Sequence, residues 1–333
     1  MITMALNFYK YYSRQIKYAL HFNILNNSII DAENKYINFQ KPLKNVIVSD
    51  SMFIDTAYLL KIKKMIKSIK GVFWADFVLK KYYPLYSDYL KGKISNVGTD
   101  GKINYGEILN INPDMIFLID WNIFNPLSKW LDKNNIPYTK TGNYKEPKFL
   151  GKMEWIKFYA SFYNKYKKAE KVFNKIIEEK RRILKSLNSR SIKYKPVVAF
   201  FGYHKNQPYI YGKSHYIPNW IREIKGNYLF ENVEGTNYHY IDRKIFNSRA
   251  KYADVCILDT MGEDIDIKEL LKNNPHFLKF RAYKNKRFYI TTKDYLKFET
   301  LKCSEVMEEY VKIIHPKIYQ NGDNDLKYFI KVV

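Results

Sequence analysis

Cysteine is almost absent from this chain: its 333 residues carry two, Cys256 and Cys303. Two thiols at that separation form no metal-spaced pair and cannot ligate an iron–sulfur cluster, so an enzyme built around a metal cluster lacks its ligands. Cys256 lies in the apolar run Val255-Cys256-Ile257-Leu258 and reads as a small core residue, although a bridge to Cys303 is possible in an exported chain. Glycine is also scarce, with 13 residues. No Walker sequence, no Gly-rich dinucleotide loop and no Gly-x-Ser-x-Gly elbow occurs, which leaves enzyme readings without a nucleophile. None of the six histidines forms an HxH or HxxxH pair. His204 and His215 flank a possible hairpin, but a closed metal site needs further ligands. No apolar stretch is long enough to cross a bilayer. The segment from Met1 to Arg14 carries early Tyr, Lys and Arg and holds no apolar core of a signal peptide.

What is present is positive charge: 57 Lys and Arg against 33 Asp and Glu, a net +24, in a chain whose 46% apolar content is that of a folded protein. Such charge can hold a protein near an anionic membrane, concentrate anionic ligands or bind nucleic acid. No block of five or six consecutive basic residues marks a nucleic-acid arm. The 31 Tyr and 21 Phe could stack on bases. They are spread along the whole chain, however, including apparent core positions, which favours a compositional background. A basic nucleic-acid-binding protein remains the alternative from a different class.

Between Gly151 and Asn188, Trp155, Tyr159, Phe162, Tyr166, Phe173, Ile176, Ile177 and Leu184 recur at helical spacing among Lys and Glu. A helix of about 38 residues would span nearly ~60 Å, longer than one small lobe requires. On both sides of it, apolar strands alternate with helical patterns. Asn45–Asp50 is followed by a helix over Phe53–Lys70, and Met115–Ile119 by one over Pro126–Asn134. Pro196–Phe201, Asp254–Leu258 and Arg287–Ile290 are the strands of the second half, and Glu299–Ile313 is the last helix. Ile29–Phe39 reads as a hairpin. The expectation is an α/β protein: two α/β lobes connected by a single long backbone helix, with the ligand cleft between the lobes. The boundaries are an N-terminal extension over 1–27, a first lobe over 28–150, the connecting helix over 151–188 and a second lobe over 189–333.

In open α/β sheets, ligands bind beyond the carboxyl ends of the strands. There the first half offers Asp50, Ser51, Trp74, Tyr82, Tyr83, Asp100, Asn104 and Trp121, and the second offers Tyr203, His204, Tyr211, Lys213, Thr260, Tyr295 and Lys297. Aromatic and hydrogen-bonding side chains with a few cations suit a bulky, partly anionic ligand.

Four stretches then resemble a known family. They are Ile30–Ile37 with Asn45–Val48; Val97-Gly98 with Asn104-Tyr105-Gly106-Glu107 through Pro113-Asp114-Met115-Ile116; Trp155 through Phe173; and Tyr211-Gly212-Lys213-Ser214 with Lys225-Gly226-Asn227 and Lys286–Tyr289. In that order they resemble the substrate-binding proteins of ABC importers that capture ferric siderophores, haem and vitamin B12. The resemblance covers the chain from about Ser28 to about His315. It implies a binder without catalytic chemistry or cofactor, located outside the membrane and membrane-associated. A monomer of this kind delivers an iron chelate, or alternatively haem or a corrinoid, to an ABC permease with its ATPase, with no specific nucleic acid involved. On this reading the aromatics cover the ligand's apolar faces, while Lys213, Lys297 and Arg281 neutralise its carboxylates or catecholates. Permease docking falls to Glu107 on the first lobe. On the second lobe Lys244 stands where an acid is expected, and Asp242 is the substitute two positions away. An export signal is not visible, so the implied location requires a leader upstream.

Overall fold

The run Met115–Ile119 is buried at every residue, as is Val46–Val48, because each lies inside a parallel sheet covered on both faces. The structure is a computed structural model that describes residues 13–14, 16–25, 28–39, 42–99, 101–319, 322 and 325–333; Asp100 and most of the stretch 1–15 lie outside them. The chain divides into two units, one of residues 1–144 with 153–173 and one of residues 145–152 with 174–333.

The first unit holds a five-stranded parallel sheet in the order Tyr138–Thr141, Met115–Ile119, Val46–Val48, Ile69–Val72, Ser95–Asn96. Strand order reverses beside Val46–Val48, so the ends of that strand and of Met115–Ile119 flank a switch point. The sequence hides the Ile69–Val72 strand. The helix expected over Phe53–Lys70 is two helices, Ser51–Leu59 and Lys63–Ser68, with Lys61 turned left-handed between them (φ 50°). Gly71 sits where a Cβ would approach side-chain atoms of Ile111 and Val97 to 2.8 Å, so glycine lets this strand enter the sheet without displacing them. The Ile29–Phe39 hairpin forms, as Ile29–Ile30 paired with Tyr36–Ile37, in a four-stranded antiparallel sheet with Ser13–Arg14 and Asn23–Leu25.

The 38-residue helix expected over 151–188 is instead two helices, Phe149–Ser161 and Tyr166–Asn188. The first ends in a Schellman motif. Asn164 is left-handed (φ 56°), Lys165 N–H donates to Ala160 O at 2.9 Å and Asn164 N–H to Ser161 O at 3.3 Å. Helical periodicity runs through the break because Phe162 and Tyr163, inside the turn, are as buried as the helix faces on either side.

The second unit has a seven-stranded mixed sheet. Val197–His204, Val255–Asp259 and Phe288–Thr291 run parallel, and the short Asn227–Tyr228 pairs parallel with the first of them. Gln207–Tyr211 and Tyr238–Tyr240 add antiparallel on one side and Phe329–Lys331 on the other; neither of the two outermost strands was legible in the sequence. Lys205 and Asn206 both have positive φ (47° and 63°), the two-residue hairpin turn that matches strand twist. The last helix is split into Tyr295–Leu301 and Cys303–Ile314. Cys256 and Cys303 are both buried and free.

Within this unit Glu299, 2% exposed, is the acceptor of a closed network. The Lys152 ammonium and the Tyr216 hydroxyl both bond its carboxylate, Tyr295 OH donates to it at 3.0 Å, and Tyr310 OH lies 2.7 Å from Tyr295 OH. Removing one member strands the other charge in the core. Lys152→Met is expected to lower unfolding free energy by about 3 kcal/mol, whereas Lys152→Met with Glu299→Gln recovers part of the loss; urea titration checks this.

Burial holds the imidazoles of His215, His276 and His315 below their ordinary pKa, His215 most strongly. The unfolded chain therefore binds more protons than the native one once pH falls to about 6.5, so stability drops as pH falls from about 7 to 5.5. Burial raises Asp259 and Glu309, whose opposite effect belongs to lower, carboxylate pH. Denaturation midpoints measured across that window test the sign.

Candidate functional site

At the carboxyl edge of the first sheet, Asp50 ends the segment after Val46–Val48 and caps the helix Ser51–Leu59 by accepting from Met52 N–H. Its other oxygen accepts from Thr141 Oγ1 at 3.0 Å, from Tyr159 OH at 2.5 Å and from the Asn143 amide. Asp50 is thus a buried organiser of the edge, and Ser51 beside it is half-buried on the first helical turn.

Around this organiser the strands deliver aromatics. Trp74 follows Ile69–Val72 and Trp121 follows Met115–Ile119, and their rings meet edge to face at 6.0 Å. Phe124 packs on Trp74 at 5.5 Å and Tyr144 on Trp121 at 6.1 Å. Trp121 remains 39% exposed, so the group presents an indole face to solvent. Trp74 is held in the left-handed region (φ 51°), a conformation costly for a bulky residue, with its N–H donated to Gly98 O at 2.9 Å. Gly98 must be glycine, since its φ is 121° and a Cβ would stand 2.2 Å from Lys102 O. The Tyr144 hydroxyl donates to Asp120 O, and burial near the Asp120 and Asp50 carboxylates pushes its pKa up. The sequence pointed to Trp74 and Trp121. It missed Tyr144, just beyond the Tyr138–Thr141 strand, and Phe124, in the turn after Met115–Ile119; both join the group through tertiary packing.

Other expected residues of this unit serve different ends. Tyr83 is 80% exposed on the first turn of the helix Tyr83–Leu90. Asn104 caps the helix Tyr105–Ile111 by accepting from Glu107 N–H at 3.0 Å. Glu107 is half-buried and accepts from Ser95 Oγ at 2.6 Å.

In the second unit, Tyr203, Asp259 and Thr260 converge at the ends of Val197–His204 and Val255–Asp259 and line one depression of about 470 Å³. Tyr211 OH donates to Asp259 Oδ2 at 2.9 Å while the Tyr211 ring stacks on His215 at 4.3 Å. Burial raises the Asp259 pKa despite those donors. Thr260 N–H donates to Thr291 Oγ1 at 2.9 Å, locking the adjacent strand ends together. His204 lies 2.8 Å from Tyr240 OH, and His215 accepts from Ile217 N–H as a helix cap.

Three expectations in this unit are corrected. Tyr295 is 1% exposed inside the Glu299 network, so it is a core residue and presents no face to a ligand. Arg281 bonds Tyr252 O and lies 3.3 Å from Asp254, residues that precede Val255–Asp259; it belongs to the amino edge of the sheet, opposite the strand ends. Lys213 is neutralised by Glu234 at 2.6 Å. Lys297 is half-buried with its ammonium 5.4 Å from the Phe298 ring, and Asp242 is exposed while capping the helix Arg243–Ala250.

Comparison with known proteins places this geometry. The family model described as periplasmic binding protein matches residues 71–295. An uncharacterized lipoprotein of Methanocaldococcus jannaschii is 36% identical over 262 residues, 77% of this chain; the chain spans 66% of that relative's length. A possible iron-binding periplasmic solute-binding protein from Staphylococcus epidermidis has a TM-score of 0.60 at 20% identity, with 83% of this chain and 100% of that one covered. The periplasmic vitamin B12 binding protein of Vibrio cholerae has a TM-score of 0.58 at 14% identity, with 82% and 98% covered. The chain belongs to the periplasmic binding protein family.

Proposed function

We propose that this chain is the substrate-binding component of an ABC importer, that it captures an iron chelate of siderophore type outside the membrane, and that it hands the chelate to a permease with its ATPase. The observation that carries the reading is the Trp74–Trp121–Tyr144 group, held beside Asp50 at the switch point of a parallel sheet. A chelate's organic shell is bulky and largely apolar, and indole faces cover such a surface without demanding a fixed hydrogen-bond pattern. The name of the S. epidermidis neighbour supports iron as the metal, and that of the V. cholerae neighbour supports the corrinoid alternative; haem is of the same class.

The lipoprotein relative supports an extracytoplasmic, membrane-anchored location. Among the described residues no helix is long and apolar enough to cross a membrane. Family membership gives the nucleic-acid alternative no support, and the basic charge suits attraction to an anionic bilayer surface.

Calorimetric titration with ferric siderophores, haem and cobalamin should reveal one site, and silence across all of them would sink the reading. In the complex, Trp121→Ala is expected to weaken binding by about tenfold, the worth of one stacking aromatic, with little change in melting temperature. Glu107→Arg should leave ligand affinity intact and reduce ligand-stimulated ATPase turnover in a reconstituted importer. Unchanged turnover would remove Glu107 from the docking surface.

A further inference from the structure

The sheet of the second unit has edges of opposite sign. Two segments that enter it at the amino edge are rich in cations. Residues 190–195, before Val197–His204, hold three in six positions, and residues 281–287, before Phe288–Thr291, hold four in seven, with no acid in either. Lys251 precedes Val255–Asp259, the strand between those two. At the opposite edge the loop 259–266 carries Asp259, Glu263, Asp264 and Asp266 and no cation. A uniform excess of lysine would leave both edges basic, so the separation is a property of the fold.

The amino edge is also fixed in place. Neighbouring strands lie about 4.8 Å apart, which sets the three entering segments side by side. Asp254 ties them together: its carboxylate accepts from Val197 N–H at 2.7 Å and from Tyr194 OH at 2.6 Å, and Arg281 lies 3.3 Å away. Arg281 N–H donates to Lys251 O at 2.9 Å. Asp254 is buried and spent on this scaffold. Lys193, Lys195, Lys251, Lys284 and Lys286 are all exposed, and among the described residues none of them pairs with a carboxylate. Tyr194 and Tyr252 are each 62% exposed, and the Lys251 ammonium sits 4.7 Å from the Tyr252 ring.

Unpaired lysines beside exposed phenols fit a bilayer interface, where phosphate headgroups meet the ammoniums and an amphipathic ring lies at headgroup depth. The arginines that could fork onto a nucleic-acid backbone are held by protein acceptors: Arg281 by Tyr252 O and Asp254, Arg287 by Ile313 O and Ile314 O. We infer that the amino edge of the second unit is a docking surface for the anionic headgroups of a bilayer, with the strand-end depression on the opposite edge turned away. This rests on the membrane-side location proposed above and is independent of which ligand is carried.

The test is sedimentation of the full chain with phosphatidylcholine vesicles, with and without about a third of phosphatidylglycerol, across a range of salt. Binding should require the anionic lipid and weaken as salt rises. Lys193→Gln, Lys195→Gln and Lys284→Gln together should lower partitioning by about a hundredfold, with melting temperature and chelate affinity unchanged. A charge-matched control on exposed positions of the helix Tyr166–Asn188, Lys167→Gln with Lys168→Gln and Lys171→Gln, should cost far less. Equal losses from the two triple variants would mean that net charge, not this face, drives adsorption, and would overturn the inference. Tighter binding to duplex DNA than to the anionic vesicles would overturn it too. Vesicle silence with chelate binding intact removes this surface and leaves the importer reading standing; chelate silence with vesicle binding intact does the reverse.

Discussion

A carboxylate taken out of water persists only where donors surround it, and the described parts of both units are arranged around that requirement. Asp50 gathers a threonine, an asparagine, a tyrosine and a helix N-terminus at one sheet edge. Glu154, fully buried, collects the consecutive N–H groups of Lys17, Tyr18 and Ala19 together with the Lys157 ammonium. Glu299 does the same with Lys152 and two tyrosines. Each centre joins segments far apart in sequence, so each is a tertiary constraint that local propensity cannot supply. The abundance of tyrosine follows from the same logic. A phenol buries a large apolar ring and still brings a donor to a buried acid.

These centres determine what the sheet edges can present. With Asp50 occupied internally, the first edge offers solvent the indole of Trp121, backed by Trp74, Phe124 and Tyr144. On the second unit Asp259 is tied to Tyr211, and Thr260 to Thr291, which fixes the wall of the depression. Both edges also carry a non-glycine residue in the left-handed region, Trp74 at φ 51° and Met261 at φ 53°. Backbone strain of that kind persists where surrounding contacts over-determine it, and it re-aims a side chain at the end of a strand.

Much of the fold was legible because parallel strands buried on both faces leave continuous apolar runs. Val46–Val48, Met115–Ile119, Val197–Phe201 and Val255–Leu258 stand out without any structure. Ile69–Val72 was not legible, since it carries a lysine and a glycine and follows a helical pattern without pause. The Schellman stop at Asn164 escaped for a related reason: burial on either side of the turn preserved the helical period of the aromatics. Tyr295 was misread because a strand-end position suits a ligand contact, while its hydroxyl in fact completes a core network.

The sequence by itself determined the α/β class, the two-part organisation, the hairpin at Ile29–Phe39 and the placing of Trp121 beyond the end of the Met115–Ile119 strand. Those features follow from hydrophobic period and local turn chemistry, which are written residue by residue. Only the tertiary structure decided which polar groups are spent internally. Lys213, Arg281 and Tyr295 have the right chemistry for a ligand, but Glu234 and Asp254 pair with the first two, and the third is held in the buried network that Glu299 forms with distant Lys152 and Tyr216. Availability to a ligand is what remains after such long-range pairing, and pairing between residues tens of positions apart leaves no periodic trace in the chain.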